Sequence, residues 1–151
     1  MIRLEKMKSV EFQRYLEFAI KNYATEHVKA GNWDESDALS RAAQEYEKLL
    51  PEGEKTGNHH LFMIRDEEQE VGMIWLAQRS ADKGFIYDIH IWEDHQGRGY
   101  GKQAMMEMEY VAKNLGLKSV GLHVFGHNQT ARHLYEKLGY IETSVVMEKK
   151  L

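Results

Sequence analysis

Three glycines at alternate positions, with cations among them, make Gln96-Gly97-Arg98-Gly99-Tyr100-Gly101-Lys102 the chemically richest stretch of this chain. Glycine lacks the Cβ that bars sharp turns, so its backbone N–H groups can come close to a ligand. A strand-like run precedes the stretch and a helix-like run follows it. The N–H groups therefore fall at a helix start, where they have no intrahelical partner and carry the positive end of the dipole. Such a turn binds anions, phosphate above all. Two familiar phosphate motifs fail on spacing. A P-loop needs glycine where Gln96 stands and Ser or Thr where Gln103 stands. A dinucleotide fingerprint needs glycine at Lys102 and lies near the first strand of a βαβ unit, with an acid about twenty residues on.

Other reactive chemistry is limited by composition. The chain has no cysteine, which excludes disulfides, thiolate metal sites and a cysteine nucleophile. His59, His60 and His127, even taken with Asp88 and His90, match no metal-ligand spacing, so no metal is expected. With 151 residues, 42% hydrophobic and 29% charged, the chain reads as one globular domain over residues 1–151. A net charge of -4 gives no reason to expect a nucleic-acid partner. The first residues lack the apolar core of a signal peptide, and no apolar run is long enough to span a membrane. The expected location is the cytoplasm. Charge is uneven: residues 31–55 hold seven acids against three bases, and from Gln96 onward eight bases face five acids. Either the two halves meet ligands of opposite charge, or these are solvated helix faces.

The elements that must position the glycine turn follow from periodicity. Ile2 to Met7 reads as a strand. Apolar residues from Phe12 to Val28 recur at three and four, predicting a helix from Ser9, its cap, to about Ala30. A second helix starts near Asp34 or Ser36, turns Leu39, Ala42, Ala43, Tyr46, Leu49 and Leu50 inward, and stops at Pro51 and Gly53. Strands follow at His60–Arg65, Val71–Gln78 and Phe85–Trp92, the first two joined by the acidic turn Asp66–Gln69. Then come a helix over Tyr100–Leu115, a strand over Lys118–Phe125, a helix over Asn128–Leu138 and a last strand over Tyr140–Lys149. Strand, glycine turn, helix, strand makes the second half an α/β unit with a parallel pair.

Gln96, Gly99 and Gly101 fit Gln-x-x-Gly-x-Gly. Asn128, Ala131, Tyr135, Gly139 and Tyr140 fit Asn-x-x-Ala-x-x-x-Tyr-x-x-x-Gly-aromatic. Together they resemble the acetyl-CoA signature of the GNAT superfamily of N-acetyltransferases, closely from Phe85 to Tyr140 and in element order throughout. The resemblance implies an α/β (α+β) fold: a mixed, mostly antiparallel sheet of six to seven strands, splayed between strands 4 and 5 and flanked by about four helices. It implies acetyl-CoA as cofactor, with its pyrophosphate on the N–H groups of Gly97 through Lys102. Arg98 and Lys102 would either contact the phosphates or stay solvated. The pantetheine arm would pair with Ile89, His90 and Ile91, and the N–H near Ile91 would polarise the thioester. Asn128 would contact that arm or cap its helix.

Transfer to an amine passes through a tetrahedral adduct that expels a thiolate. The resemblance places Tyr135 as general acid for that thiolate, with a core tyrosine as the alternative. An amine of pKa near 10.4 is neutral in only about one molecule in 2500 at pH 7, so its proton needs a base at a cost of about 4.6 kcal/mol. Some members carry a glutamate early in the fourth strand; Phe85 stands there, so that role is absent. Others use a residue five before the asparagine, which here is His123, either base or structural histidine. An imidazole, ordinarily near pKa 6.5, suits the task. Asp88, an acid in an apolar strand, is a third candidate, lining the acceptor site with Tyr87 and His90 or facing the other layer. The implied activity is direct transfer in a ternary complex to a small-molecule or peptide amine, the acidic stretch hinting at a cationic one. A non-catalytic acyl-CoA-binding sensor is the alternative. Homodimers are common in the superfamily, although no interface is specified here.

Overall fold

The computed structural model describes residues 1–151. Five strands form one sheet in sequence order: β1 (Ile2–Lys6), β2 (His59–Asp66), β3 (Gln69–Gln78), β4 (Lys83–Ile91) and β5 (Ser119–Leu122). The first three pairings are antiparallel and β4–β5 is parallel. Four helices flank it: α1 (Ser9–Lys29), α2 (Ala38–Leu49), α3 (Tyr100–Asn114) and α4 (Gln129–Lys137). β3 is central and its residues Val71–Ala77 are buried on both faces, so it reads as a continuous apolar run. One face packs Ile64, Ile74, Leu76 and Ile86 against Ala104, Met105 and Met108 of α3. The other packs Met63, Met73 and Trp75 against Phe12, Tyr15 and Ala19 of α1 and Tyr46 of α2.

The sheet therefore has five strands, fewer than the six to seven expected, because Tyr140–Lys149 forms no ladder. Its alternating sequence would suit a strand only if the β5 backbone were within hydrogen-bond reach. Instead cavities separate the two, lined by Leu122 on one side and by Tyr140, Ile141 and Thr143 on the other. The segment is tethered at its start by the Tyr140 N–H, which donates to the Tyr135 carbonyl at 3.0 Å, and by side chains: the Tyr140 hydroxyl donates to Glu109 at 3.0 Å, and Arg132 pairs with Glu142 at 3.0 Å. Val145, Val146 and Met147 are exposed.

Helix starts also differ from expectation. Ser9 is the first residue of α1 rather than its cap, and its hydroxyl is committed to Glu54. Glu11 fastens the helix start by accepting from the Lys8 N–H at 2.9 Å, and the same carboxylate meets Arg65 of β2 at 2.5 Å. α2 begins at Ala38, later than Asp34 or Ser36, because Trp33 draws the connection onto the His27 ring at 3.9 Å. Its inner face becomes Ala38, Ala42 and Tyr46, which leaves Leu39 57% exposed.

Candidate active site

The three glycines serve two purposes. Gly97 and Gly99 adopt φ of +78° and +82°, left-handed conformations that a Cβ strains. Gly101 is inside α3, and a Cβ there would lie 3.3 Å from Leu134 of α4, so it allows close approach instead. Gln96 fastens the turn to the end of β4 by donating from Nε2 to the Ile91 carbonyl at 2.9 Å. Tyr100 fastens it to the β2–β3 hairpin, its hydroxyl donating to Asp66 at 2.6 Å. With Gly99 as N-cap, no side chain covers the first-turn N–H groups of α3. Arg98 and Lys102 stand exposed beside them, in no ion pair with protein carboxylates. The turn thus fits a pyrophosphate group: free donors, adjacent cations and no Cβ in the way.

From this turn β4 leads back to a break in the sheet. β4 and β5 pair only over Lys83–Ile86 and Ser119–Leu122, and the strands part beyond Ile86. A bulge marks the spot: Trp75 faces Asp88 and Leu76 faces Ile86, which leaves Tyr87 unmatched. The extra residue turns Tyr87, Asp88 and His90 all toward α1 and α2. Tyr87 stacks on Trp75 at 4.7 Å, Asp88 meets Tyr15, and His90 lies 4.7 Å from Phe18. On its outer edge the stretch Tyr87–Ile91 lacks a ladder partner, as an extended ligand arm requires. Gly72 makes this crossing possible, since a Cβ there would sit 2.2 Å from the His90 carbonyl oxygen.

Where the strands part lies a cavity of about 440 Å³. Its walls bring together Asp88, Ile89, His90, His123, Asn128 and Tyr135, all expected site residues; Ile91 and the turn Gln96–Lys102 lie outside its lining. Asp88 opens onto the cavity, yet protein surrounds its carboxyl closely enough that burial raises it above the usual carboxylate range. The Tyr15 hydroxyl, donating at 2.6 Å, partly offsets that rise. Burial, and then the nearby Asp88 charge, push the Tyr135 phenol up to about 12, so it stays protonated at neutral pH. Burial lowers His90, with Asp88 opposing, so it is predominantly neutral there. His123 is exposed at the wall, its ring edge-on to Phe125 at 5.1 Å. Asn128 caps α4, its Oδ1 accepting from the Ala131 N–H at 3.1 Å, which leaves Nδ2 as a donor.

The remaining histidines are dispersed. His59 accepts from the Trp75 indole at 3.0 Å, His60 meets Gln78 at 3.0 Å, and His127 meets Glu26 at 2.5 Å. The sequence did not single out the opposite wall: Tyr23 and Glu26 of α1, Glu45 and Tyr46 of α2, and Arg79 after β3. A usable signal was present, because Tyr15, Tyr23 and Tyr46 occupy inner helix faces where a buried phenol needs a polar partner. Gly72 was equally legible, since glycine inside a strand marks close backbone approach.

A parted sheet with a donor-lined glycine turn at one end of the gap and a protonated phenol in its cavity wall suits an acetyltransferase, the class that the chain's relatives define. The chain belongs to the Acetyltransferase (GNAT) family, whose model matches residues 6–140. It is 43% identical over 154 residues to YycN of Bacillus subtilis (strain 168), described as an uncharacterized N-acetyltransferase, covering 99% of each chain. The crystal structure of YycN matches with a TM-score of 0.96 at 42% identity, over 100% of this chain and 99% of that one. A second B. subtilis relative, YdgE, also described as an uncharacterized N-acetyltransferase, is 33% identical over 152 residues, covering 98% of this chain and 97% of its own. PaiA N-acetyltransferase from Thermoplasma acidophilum, solved in complex with coenzyme A, shares the fold with a TM-score of 0.72 at 20% identity, covering 96% and 93% of the two chains.

Proposed function

We propose that this protein transfers an acetyl group from acetyl-CoA directly to a primary amine, with both substrates bound at once. The observation that carries the reading is the gap beyond Ile86, where an unpaired β4 edge, a buried carboxylate and a protonated phenol share one cavity. Gly97 through Lys102 hold the pyrophosphate, with Arg98 and Lys102 adding charge. Ile89, His90 and Ile91 offer backbone groups to the pantetheine arm, as does Asn128 through Nδ2. The N–H near Ile91 polarises the thioester carbonyl.

Within that frame the protein moves two protons. Asp88 takes the proton that the ammonium must lose before its lone pair can attack the acetyl carbon. An N–C bond forms and the C–S bond breaks as the adduct collapses. Tyr135 then supplies a proton to the departing sulfur. Asp88 is favoured over His123 as base because it is buried, oriented by Tyr15 and turned by the bulge toward the acceptor wall, while His123 is exposed. Raised above the usual carboxylate range, Asp88 is a better base than a solvated aspartate. The cavity also argues against a sensor that only binds acyl-CoA, since α1 and α2 line it with Tyr23, Glu26, Glu45 and Tyr46 instead of plugging it.

The test is an amine panel assayed by CoA release, with calorimetry of acetyl-CoA binding alongside. Turnover on a primary amine is expected. Failure to bind acetyl-CoA, or binding without turnover on any amine, refutes the reading.

A further inference from the structure

The acceptor wall carries more negative charge than one reacting amine can use. Asp88 and Glu45 both line the cavity; burial first, then the Asp88 charge and in smaller part that of Glu45, hold the Tyr46 phenol above its ordinary range. Tyr46 thus shares the cavity with two acids, one at the bulge in β4 and one on α2. Glu45 is half-buried, lines the cavity beside Tyr23 and Tyr46, and forms no ion pair. Its natural helical partner is elsewhere: Arg41, one turn back, is drawn to Asp37 at 3.4 Å and to the Trp33 ring at 5.7 Å. Glu26, also on the wall, is already engaged by His127 at 2.5 Å and Lys29 at 4.0 Å. Arg79, the one Lys or Arg lining the cavity, lies over Phe85 at 3.6 Å and donates to the Tyr87 hydroxyl at 3.2 Å.

A half-buried carboxylate without a cation gives up part of its hydration with no ion pair to offset it. The rings of Tyr23 and Tyr46, edge to face at 5.7 Å, add a surface on which a cation is favoured. The reacting nitrogen cannot be the missing partner. It must become neutral to attack, and Asp88 already serves it.

We propose that the acceptor is a diamine-like molecule whose second cationic centre, a few bonds from the reacting amine, is received by Glu45 beside Tyr23 and Tyr46. The proposal rests on the acetyl-transfer reading above. It assigns Glu45 to acceptor recognition, acting on the affinity for the acceptor rather than on proton movement.

The test compares three acceptor series at matched carbon lengths from three to eight: n-alkylamines, α,ω-diaminoalkanes and ω-amino acids, assayed by CoA release with saturating acetyl-CoA. Diaminoalkanes are expected to exceed the monoamines in kcat/KM by about tenfold or more at the best length. Glu45→Gln is expected to collapse that ratio toward one, chiefly through KM, while Glu47→Gln on the exposed face of α2 leaves it intact. Monoamines used as well as diamines, or a diamine preference that Glu45→Gln does not move, overturns the proposal alone. So does a preference for ω-amino acids, which makes Arg79 the recognition group. Absence of turnover on every amine overturns the acetyl-transfer reading and this proposal with it.

Discussion

At Asp88, function and stability pull in opposite directions. Burial raises its folded pKa above the unfolded value, so between the two values the folded state binds more protons than the unfolded one. Stability contributed by this group therefore falls as pH rises through that window, and its penalty is fully present above the folded pKa. Asp88→Asn removes the charge while keeping an acceptor for Tyr15. The melting temperature at pH 7 is expected to rise by a few degrees, at ~2–4 °C per kcal/mol for a domain of this size, with the gain shrinking toward low pH. Acetyl transfer in the same variant should fall by about 10²-fold or more, the usual worth of a positioned base. A variant that is both unaltered in stability and fully active would remove Asp88 from the mechanism. Tyr135 tests the other proton. Tyr135→Phe is expected to lower kcat by about 10²–10⁴-fold while calorimetry finds acetyl-CoA affinity little changed. Because the phenol is pushed up to about 12, the wild-type rate should show no loss from Tyr135 ionisation through the neutral and mildly alkaline range. Full turnover by the Phe variant would assign the thiolate proton to water.

Elements show which features local sequence can encode. The glycine turn and the cap Asn128 were legible because each depends on neighbours a few residues away, at the end of one strand or along one helix. The inner face of α1 was legible for the same reason, whereas Tyr135 was singled out only by the resemblance to the superfamily motif. The last strand was not, because alternation in Tyr140–Lys149 cannot reveal whether a β5 edge lies within reach. The tyrosine and carboxylate wall opposite Asp88 was missed because it is assembled from α1, α2 and the bulge in β4, three elements whose rotation no local pattern fixes. Gly72 belongs to this scale too. Gly72→Ala would drive a methyl to 2.2 Å from the His90 carbonyl, a backbone atom that cannot rotate away. A destabilisation of about 1–3 kcal/mol is expected, a melting point lower by several degrees, with β4 displaced from β3. Gly99→Ala meets no such wall, its nearest neighbour being Gln103 Nε2 at 3.8 Å, but its φ of +82° is strained for alanine by about 1–2 kcal/mol. Relaxing that strain re-aims the N–H groups at the start of α3. Acetyl-CoA should bind about tenfold more weakly, roughly the loss of one charge-assisted hydrogen bond. Unchanged affinity in calorimetry would mean that the turn does not hold the pyrophosphate.

Across the whole molecule, stability is unevenly divided by the same gap that makes the site. β1 to β4 share long antiparallel ladders and lie between two cores, one closed by α3 and the other by α1 and α2. β5 is four residues long, joins only Lys83–Ile86, and leads to α4, which has no fully buried residue. Few buried contacts and a short ladder are the conditions for local opening well below the global unfolding free energy. The β5–α4 arm should therefore open first, and it carries Tyr135 and Asn128. An acyl-CoA arm lying along Tyr87–Ile91 would fill the gap and join the two sides by hydrogen bonds that no strand supplies. Hydrogen exchange should find β5 and α4 the least protected of the ordered elements in the free protein. Saturating acetyl-CoA should slow exchange most at β5, α4 and the first turn of α3, with little change in β1 and β2. At a hundredfold excess over Kd the global gain is about 2.7 kcal/mol, or roughly 5–10 °C in melting temperature. Protection spread evenly over the sheet, or confined to α1 and α2, would mean that the cofactor does not bridge β4 and β5.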